Sequence, residues 1–151
     1  MSKPRVVEVI PVLDTNAYSD NDVLFVAIEV PGFFREKGGG ALLHSVTVLD
    51  AADQNIGFEL FFASGTHTLG TLNAAITVSD ADAAKITGNL LFTSADMSDT
   101  INSRLYCKRG VGLVLGAAAD STSLWLSGAV RGGTPTYAAA SFTIKLGIAD
   151  Q

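Results

Sequence analysis

The densest set of side chains able to do chemistry lies in the stretch LDTNAYSDND, residues 13–22, which holds Asp14, Asn16, Asp20 and Asp22. Oxygen ligands packed this closely could hold a hard cation such as calcium. An EF-hand loop needs Asp or Asn at its first, third and fifth positions, glycine at the sixth and glutamate at the twelfth. Counted from Asp14, the third position is Asn16, but the fifth is Tyr18, the sixth Ser19 and the twelfth Phe25. This spacing excludes an EF-hand and leaves, at most, an irregular cation clip. The same residue types also close turns, because Asp and Asn side chains accept from nearby backbone amides. Asp14 and Asp22 then end one strand and start the next, with Tyr18 anchoring the loop to the body of the fold.

The other candidates are thinner. Zinc needs three or four His, Cys, Asp or Glu ligands at short spacing. His44, His67 and the single Cys107 are far apart, so no metal site and no cofactor are expected. His44 alternates with Leu42, Val46 and Val48, which suggests a partly buried surface, and His67 sits in the loop SGTHTLG. No G-x-S-x-G nucleophile turn occurs. Cys107, in RLYCKRG, has basic neighbours that could lower its pKa, but no nearby histidine, and reads as a small buried strand residue. The glycines at 38–40 and 110–112 lack the context of a phosphate loop and read as turns. Glu59 alternates with Phe61 and could serve as a buried acid, although a salt bridge is the plainer role. Trp125 is the only tryptophan and has no second planar partner with which to form a sugar platform.

The elements that carry these residues are strands. Apolar residues recur at period two or in short runs over 6–13, 23–30, 41–50, 56–64, 88–94, 111–119, 123–132 and 137–149. In the last run Phe142, Ile144, Leu146 and Ile148 share one face, and Ser141, Thr143, Lys145 and Gly147 the other. One face meets a core and the other meets water, as in an antiparallel sheet. Turn chemistry separates the runs at PGFFREKGGG, AADQN and AADS. Only TVSDADAAKITG reads as helical, with Ser79 or Asp80 as its cap. The expectation is one all-β domain over 1–151, a jelly-roll-like antiparallel sandwich of about eight strands with one short helix. Residues 1–8 read either as an arm or as the start of an edge strand.

Composition narrows the function classes. The chain is 48% hydrophobic and only 17% charged, with mean hydropathy +0.34. That is too apolar for a disordered chain and suggests a surface partly covered by a partner. No apolar run approaches the roughly 20 residues that span a bilayer, and Glu8 and Pro11 interrupt any signal-like core. Neither membrane attachment nor secretion is expected. A single cysteine suits a reducing cytoplasm. Net charge −5 and the lack of a basic stripe argue against direct nucleic-acid binding.

The order of LDTNAYSDNDVLF, SVTVLDAADQN, TLGTLNAAITVSDADAAKITGNLLF and RGGTPTYAAASFTIKLGI resembles that of the head decoration, or cement, proteins of tailed bacteriophages. The similarity runs over about 6–148. It implies a non-enzymatic jelly-roll-like sandwich, made in the host cytoplasm, that binds the exterior of the expanded virion head. The implied partners are the major capsid protein and further copies of itself, commonly as a homotrimer. The contact candidates are Val6 and Val7 in the arm, adjacent Phe33 and Phe34 in their loop (with core-facing rings as the alternative), and Arg131 and Tyr137 in RGGTPTY. Competing expectations are another virion part (neck, tail or head fibre), a carbohydrate-binding sandwich, and a cupin-like enzyme, the last disfavoured by its missing histidine cluster.

Overall fold

A computed structural model describes residues 3–150. Nine strands follow in order: β1 (Pro4–Val9), β2 (Val23–Val30), β3 (Gly40–Asp50), β4 (Gly57–Ala63), β5 (Ile86–Phe92), β6 (Met97–Asp99), β7 (Arg104–Gly116), β8 (Leu124–Arg131) and β9 (Phe142–Asp150). One helix, α1 (Asp80–Ala83), and a 3-10 turn at Ser94–Asp96 complete the elements. The Ser79 hydroxyl caps α1 by accepting from the Asp82 amide at 3.1 Å. Thr93 and Asp96 form a capping box around the 3-10 turn.

The strands form a five-stranded sheet, β1-β9-β3-β7-β6, and a four-stranded sheet, β2-β8-β4-β5. Leaving aside the short β6, the chain pairs first strand with last, second with seventh, third with sixth and fourth with fifth. These pairs are β1 with β9, β2 with β8, β3 with β7 and β4 with β5, all antiparallel. Further pairings of β3 with β9 and of β4 with β8 join them into the two sheets. A long antiparallel hairpin rolled in this way is a jelly roll.

The core lies between the sheets. Along β9, Phe142, Ile144, Leu146 and Ile148 are buried, because successive side chains alternate across a strand. Phe58 of β4 stacks on Phe92 of β5, centroids 4.8 Å apart, and meets Tyr106 of β7 and Phe142 of β9 edge-on at 4.9 and 5.1 Å. This cluster ties four strands and both sheets together.

Several boundaries differ from the sequence pattern. The first strand stops at Val9 rather than 13, since Pro11 has no amide to donate, and Leu13 instead bonds Ala139 O at 2.9 Å. The last strand begins at Phe142 rather than 137. Ahead of it, the Ala138 and Ser141 backbones close a turn that the Ser141 hydroxyl reinforces. The sequence GVG at 110–112 is a bulge inside β7, with Gly110 and Gly112 at φ of 62° and 66°. The strand therefore continues back to Arg104. Opposite it, β3 shifts register between Leu43 and Ser45 against both neighbours. That slip turns His44 outward, where it is exposed, against its expected place on a partly buried face.

Replacing Phe58 by alanine would leave a cavity touching four strands. The expected loss is about 3–5 kcal/mol of unfolding free energy, measured by chemical denaturation.

Candidate interaction surface

The acidic stretch 13–22 crosses one end of the sandwich. The Asp14 amide donates to the Tyr18 hydroxyl at 2.7 Å, and that hydroxyl donates to Leu24 O at 2.8 Å. The Tyr18 ring is fully buried and meets Tyr137 edge-on. Burial pushes its phenol up to about 12. Each carboxylate serves nearby N–H groups. Asp22 accepts from the Ser19 amide at 2.7 Å, Asp20 from the Gly132 amide at 2.8 Å, and Asp14 from the Asn73 side chain at 2.6 Å. The Asn73 amide holds the Asp14 carboxyl below its ordinary range, followed by an opposing effect of desolvation. Asn73 also reaches Asn16 O and Ala17 O from a left-handed backbone at φ 56°. Sequence spacing could not find this latch, because it comes from a loop 59 positions away from Asp14. Among the described residues, no three His, Cys, Asp or Glu side chains converge as metal ligands.

The six contact candidates separate into surface and core. Val6 is 67% exposed and Val7 half-buried on β1. Arm residues 1 and 2 lie outside the described residues, and from Pro4 onward the segment is an edge strand paired to β9. Phe33 and Phe34, read either as exposed contacts or as core-facing rings, are each 1% exposed and belong to the core. Their loop folds back onto the chain through Phe34 N–H to Thr122 O and Gly38 N–H to Ser121 O, and their rings pack edge-to-face at 4.9 Å. The Arg5 guanidinium covers Phe33 and bonds its carbonyl. Tyr137 is also buried rather than exposed, and packs on Tyr18 and Phe142. Burial raises its phenol well above the ordinary value.

Arg131 is half-buried and bonds Glu59 at 2.8 Å and Asn21 Oδ1 at 2.5 Å. The second Glu59 oxygen accepts from Asn89 at 2.6 Å, so both oxygens of this carboxylate are occupied. Beside Arg131 lies a polar depression of about 380 Å³, lined also by Asn55, Ile56, Thr93 and Gly133.

Cys107 is exposed, not buried. Tyr106 takes the inward position in β7, and period two turns its neighbour out. His67 is buried: Nδ1–H donates to Gly65 O at 3.1 Å, leaving Nε2 to accept from the Ser127 hydroxyl at 2.7 Å. A carbonyl can only accept, and this fixes the tautomer. The pairing has the spacing of a nucleophile and its base, yet Ser127 is wholly buried. It clamps the loop to β8. Asp50 is also buried and accepts from the Ala52 and Gln54 amides, both at 2.9 Å, while desolvation pushes its carboxyl up. No helix among the described residues is long and apolar enough to cross a membrane.

No protein-family model and no curated protein matches the chain. Among solved structures, that of tomato aspermy virus overlaps 99% of this chain and 77% of its own, at 12% identity and a TM-score of 0.44. Desmodium yellow mottle tymovirus overlaps 99% and 81%, at 10% identity and 0.31. The Israel acute paralysis virus pentamer overlaps 98% and 87%, at 10% identity and 0.26. Overlaps this loose carry no argument about role, and the jelly-roll assignment rests on the strand pairing itself.

Two outcomes test the turn and its charges. Tyr18→Phe strands the Asp14 amide and the Leu24 carbonyl, and should cost about 1–3 kcal/mol in denaturant titrations. Asp14 and Asp50 should show opposite pH linkage. The folded pKa of Asp14 is lowered, so its stabilisation is present above the unfolded value and is lost as pH falls through the folded one. The folded pKa of Asp50 is raised, so its contribution is complete below the unfolded value and declines as pH rises through the folded one. Melting temperatures of Asp14→Asn and Asp50→Asn followed across the acid range should each lose the corresponding slope.

Proposed function

We propose that this chain is a non-enzymatic capsid decoration protein, which binds the exterior of an expanded phage head and bridges its major capsid subunits. The observation that carries this reading is an exposed aliphatic run at the sheet edge. Val6 and Val12 are 67% and 71% exposed, with Ile10 also exposed between them. Branched aliphatics held in water along one edge suit a contact surface, and the low overall charge suits broad β-surface contact. The acidic balance fits a position away from packaged DNA.

Bridging of this kind needs no chemistry. Several copies, associated as a homotrimer, each bury a modest apolar area on neighbouring capsid subunits. Multivalency turns these weak contacts into tight retention. A protein that binds only the expanded lattice stabilises that lattice by linkage against the pressure of the packed genome. The partners are then the capsid protein and further copies of the chain, without nucleic acid or membrane, and synthesis occurs in the host cytoplasm.

The test is binding to purified heads. Saturable binding to expanded heads and none to procapsids is expected, and Val6→Asp combined with Val12→Asp should weaken it by at least about tenfold, or 1.4 kcal/mol. Failure of the wild-type protein to bind mature heads sinks the proposal.

A further inference from the structure

Ile101 is the most exposed large apolar side chain among the described residues, at 82%, and its backbone is left-handed with φ 77°. Single exposed aliphatics are ordinary on a protein surface. A β-branched residue in this conformation is not, because its side chain crowds its own backbone. Asparagine, which tolerates the conformation, stands one position later at 102. The turn between β6 and β7 nevertheless holds the isoleucine in place. Its amide donates to Asp99 Oδ1 at 2.8 Å, Asn102 N–H to Thr100 O at 3.0 Å, and Thr100 N–H to Ser103 O at 3.1 Å. Arg104, just after the turn, braces Asp53 at 2.6 Å and Asp99 at 3.8 Å. A strained apolar tip fixed in advance loses little freedom on binding, and so suits an anchor that enters a socket.

The place of the tip in the sheet bears on its partner. A protein that bridges two capsid subunits needs two separated contacts, and the exposed run Val6, Ile10 and Val12 supplies one. In the five-stranded sheet β1 and β6 are the two edges. Val9 of β1 pairs with Ile144 near the start of β9, and Asp50 of β3 pairs with both Phe142 and Arg104. The continuation of β1 through Ile10 and Val12 therefore reaches the same end of the sheet as the turn at Ile101, from the opposite edge. Four strand spacings of about 4.8 Å separate the two by about 20 Å. Around the tip two carboxylates, Asp53 and Asp99, share one guanidinium, which leaves an excess of negative charge. The complementary surface is an apolar socket with a basic rim.

We propose that Ile101 is the second contact of the bridge, seated in an apolar socket rimmed by lysine or arginine on the capsid subunit beside the one that receives Val6 and Val12. This rests on the decoration reading above and adds to it a named residue at the far edge of the sheet. Each contact alone is weak, and the first raises the effective concentration of the second.

The test compares wild type with Ile101→Asn, free and on expanded heads. Free Ile101→Asn should melt about 2–4 °C higher than wild type, because asparagine relieves the backbone. Its affinity for heads should fall at least about tenfold, whereas Ile101→Leu, which keeps an apolar tip, should bind as the wild type does. At saturating occupancy the wild type should raise the temperature at which heads lose their genome, and Ile101→Asn should not. Wild-type affinity should drop as salt rises from about 0.05 to 0.5 M, since the rim contact is electrostatic. A wild type that does not bind heads overturns the decoration reading and this contact with it. A wild type that binds, with Ile101→Asn equal to it in affinity and protection, overturns this contact alone. So does a lower melting temperature for Ile101→Asn, or affinity indifferent to salt. Ile101-dependent self-association, or Ile101-dependent adsorption to phosphatidylcholine vesicles, with head binding unchanged, overturns it as well.

Discussion

The structure depends on aromatic packing between the two sheets. Phe58 lies at the centre of this contact, stacked on Phe92 and met edge-on by Tyr106 and Phe142. These rings come from four strands, two in each sheet. A jelly roll pairs its first strand with its last, so loop-closure entropy opposes its pairings until a contact of this size offsets it. Edge-on and offset ring contacts add specific geometry to the burial of area. Together they fix how one sheet lies over the other.

With the sheets fixed, polar side chains at one end satisfy the backbone of the connecting loops. Tyr18 links the Asp14 amide to the Leu24 carbonyl. Tyr106 donates to Ile56 O at 2.8 Å, and Asp50 accepts from two amides of the turn that follows it. Buried backbone groups left without partners would be costly. The acidic residues that look most like a metal cage are thus occupied in holding loops. Their chemistry serves folding, while a small set of aliphatic side chains faces outward.

That division shapes the functional reading. Among the described residues the large exposed apolar side chains are Val6, Ile10 and Val12 along the first strand and its continuation, Val26, Leu91 and Val114 on other strands, and Ile101 at a hairpin tip. The aromatics of the 31–40 loop, by contrast, are drawn into the core. Exposed aliphatic side chains thus occur on strands of both sheets, with three of them following one another along β1 and its continuation at the edge of the five-stranded sheet.

Local pattern in the sequence determined the strand class and the inward face of the last strand, and narrowed the helix cap to Ser79 or Asp80, of which Ser79 is the one used. Side chains alternate along any extended backbone, and a serine ahead of a helix can accept from its first amides whatever lies elsewhere. What lies between the strands was much less legible. KRGVG reads as a turn but forms a bulge, because a neighbouring strand pairs on both sides of it. Phe33 and Phe34 lie in a loop by composition, yet are buried because Thr122 and Ser121 capture that loop's backbone. Cys107 faces water since Tyr106 claims the inward position. Asn73 and Asp14, like Arg131 and Glu59, meet only when distant segments are brought together by closure of the sheets. The sequence by itself settled which residues could form strands and turns, since those preferences are local. Only the tertiary structure decided which side chains meet and which stay in water, since pairing across the sandwich is set by the cooperative packing of both sheets.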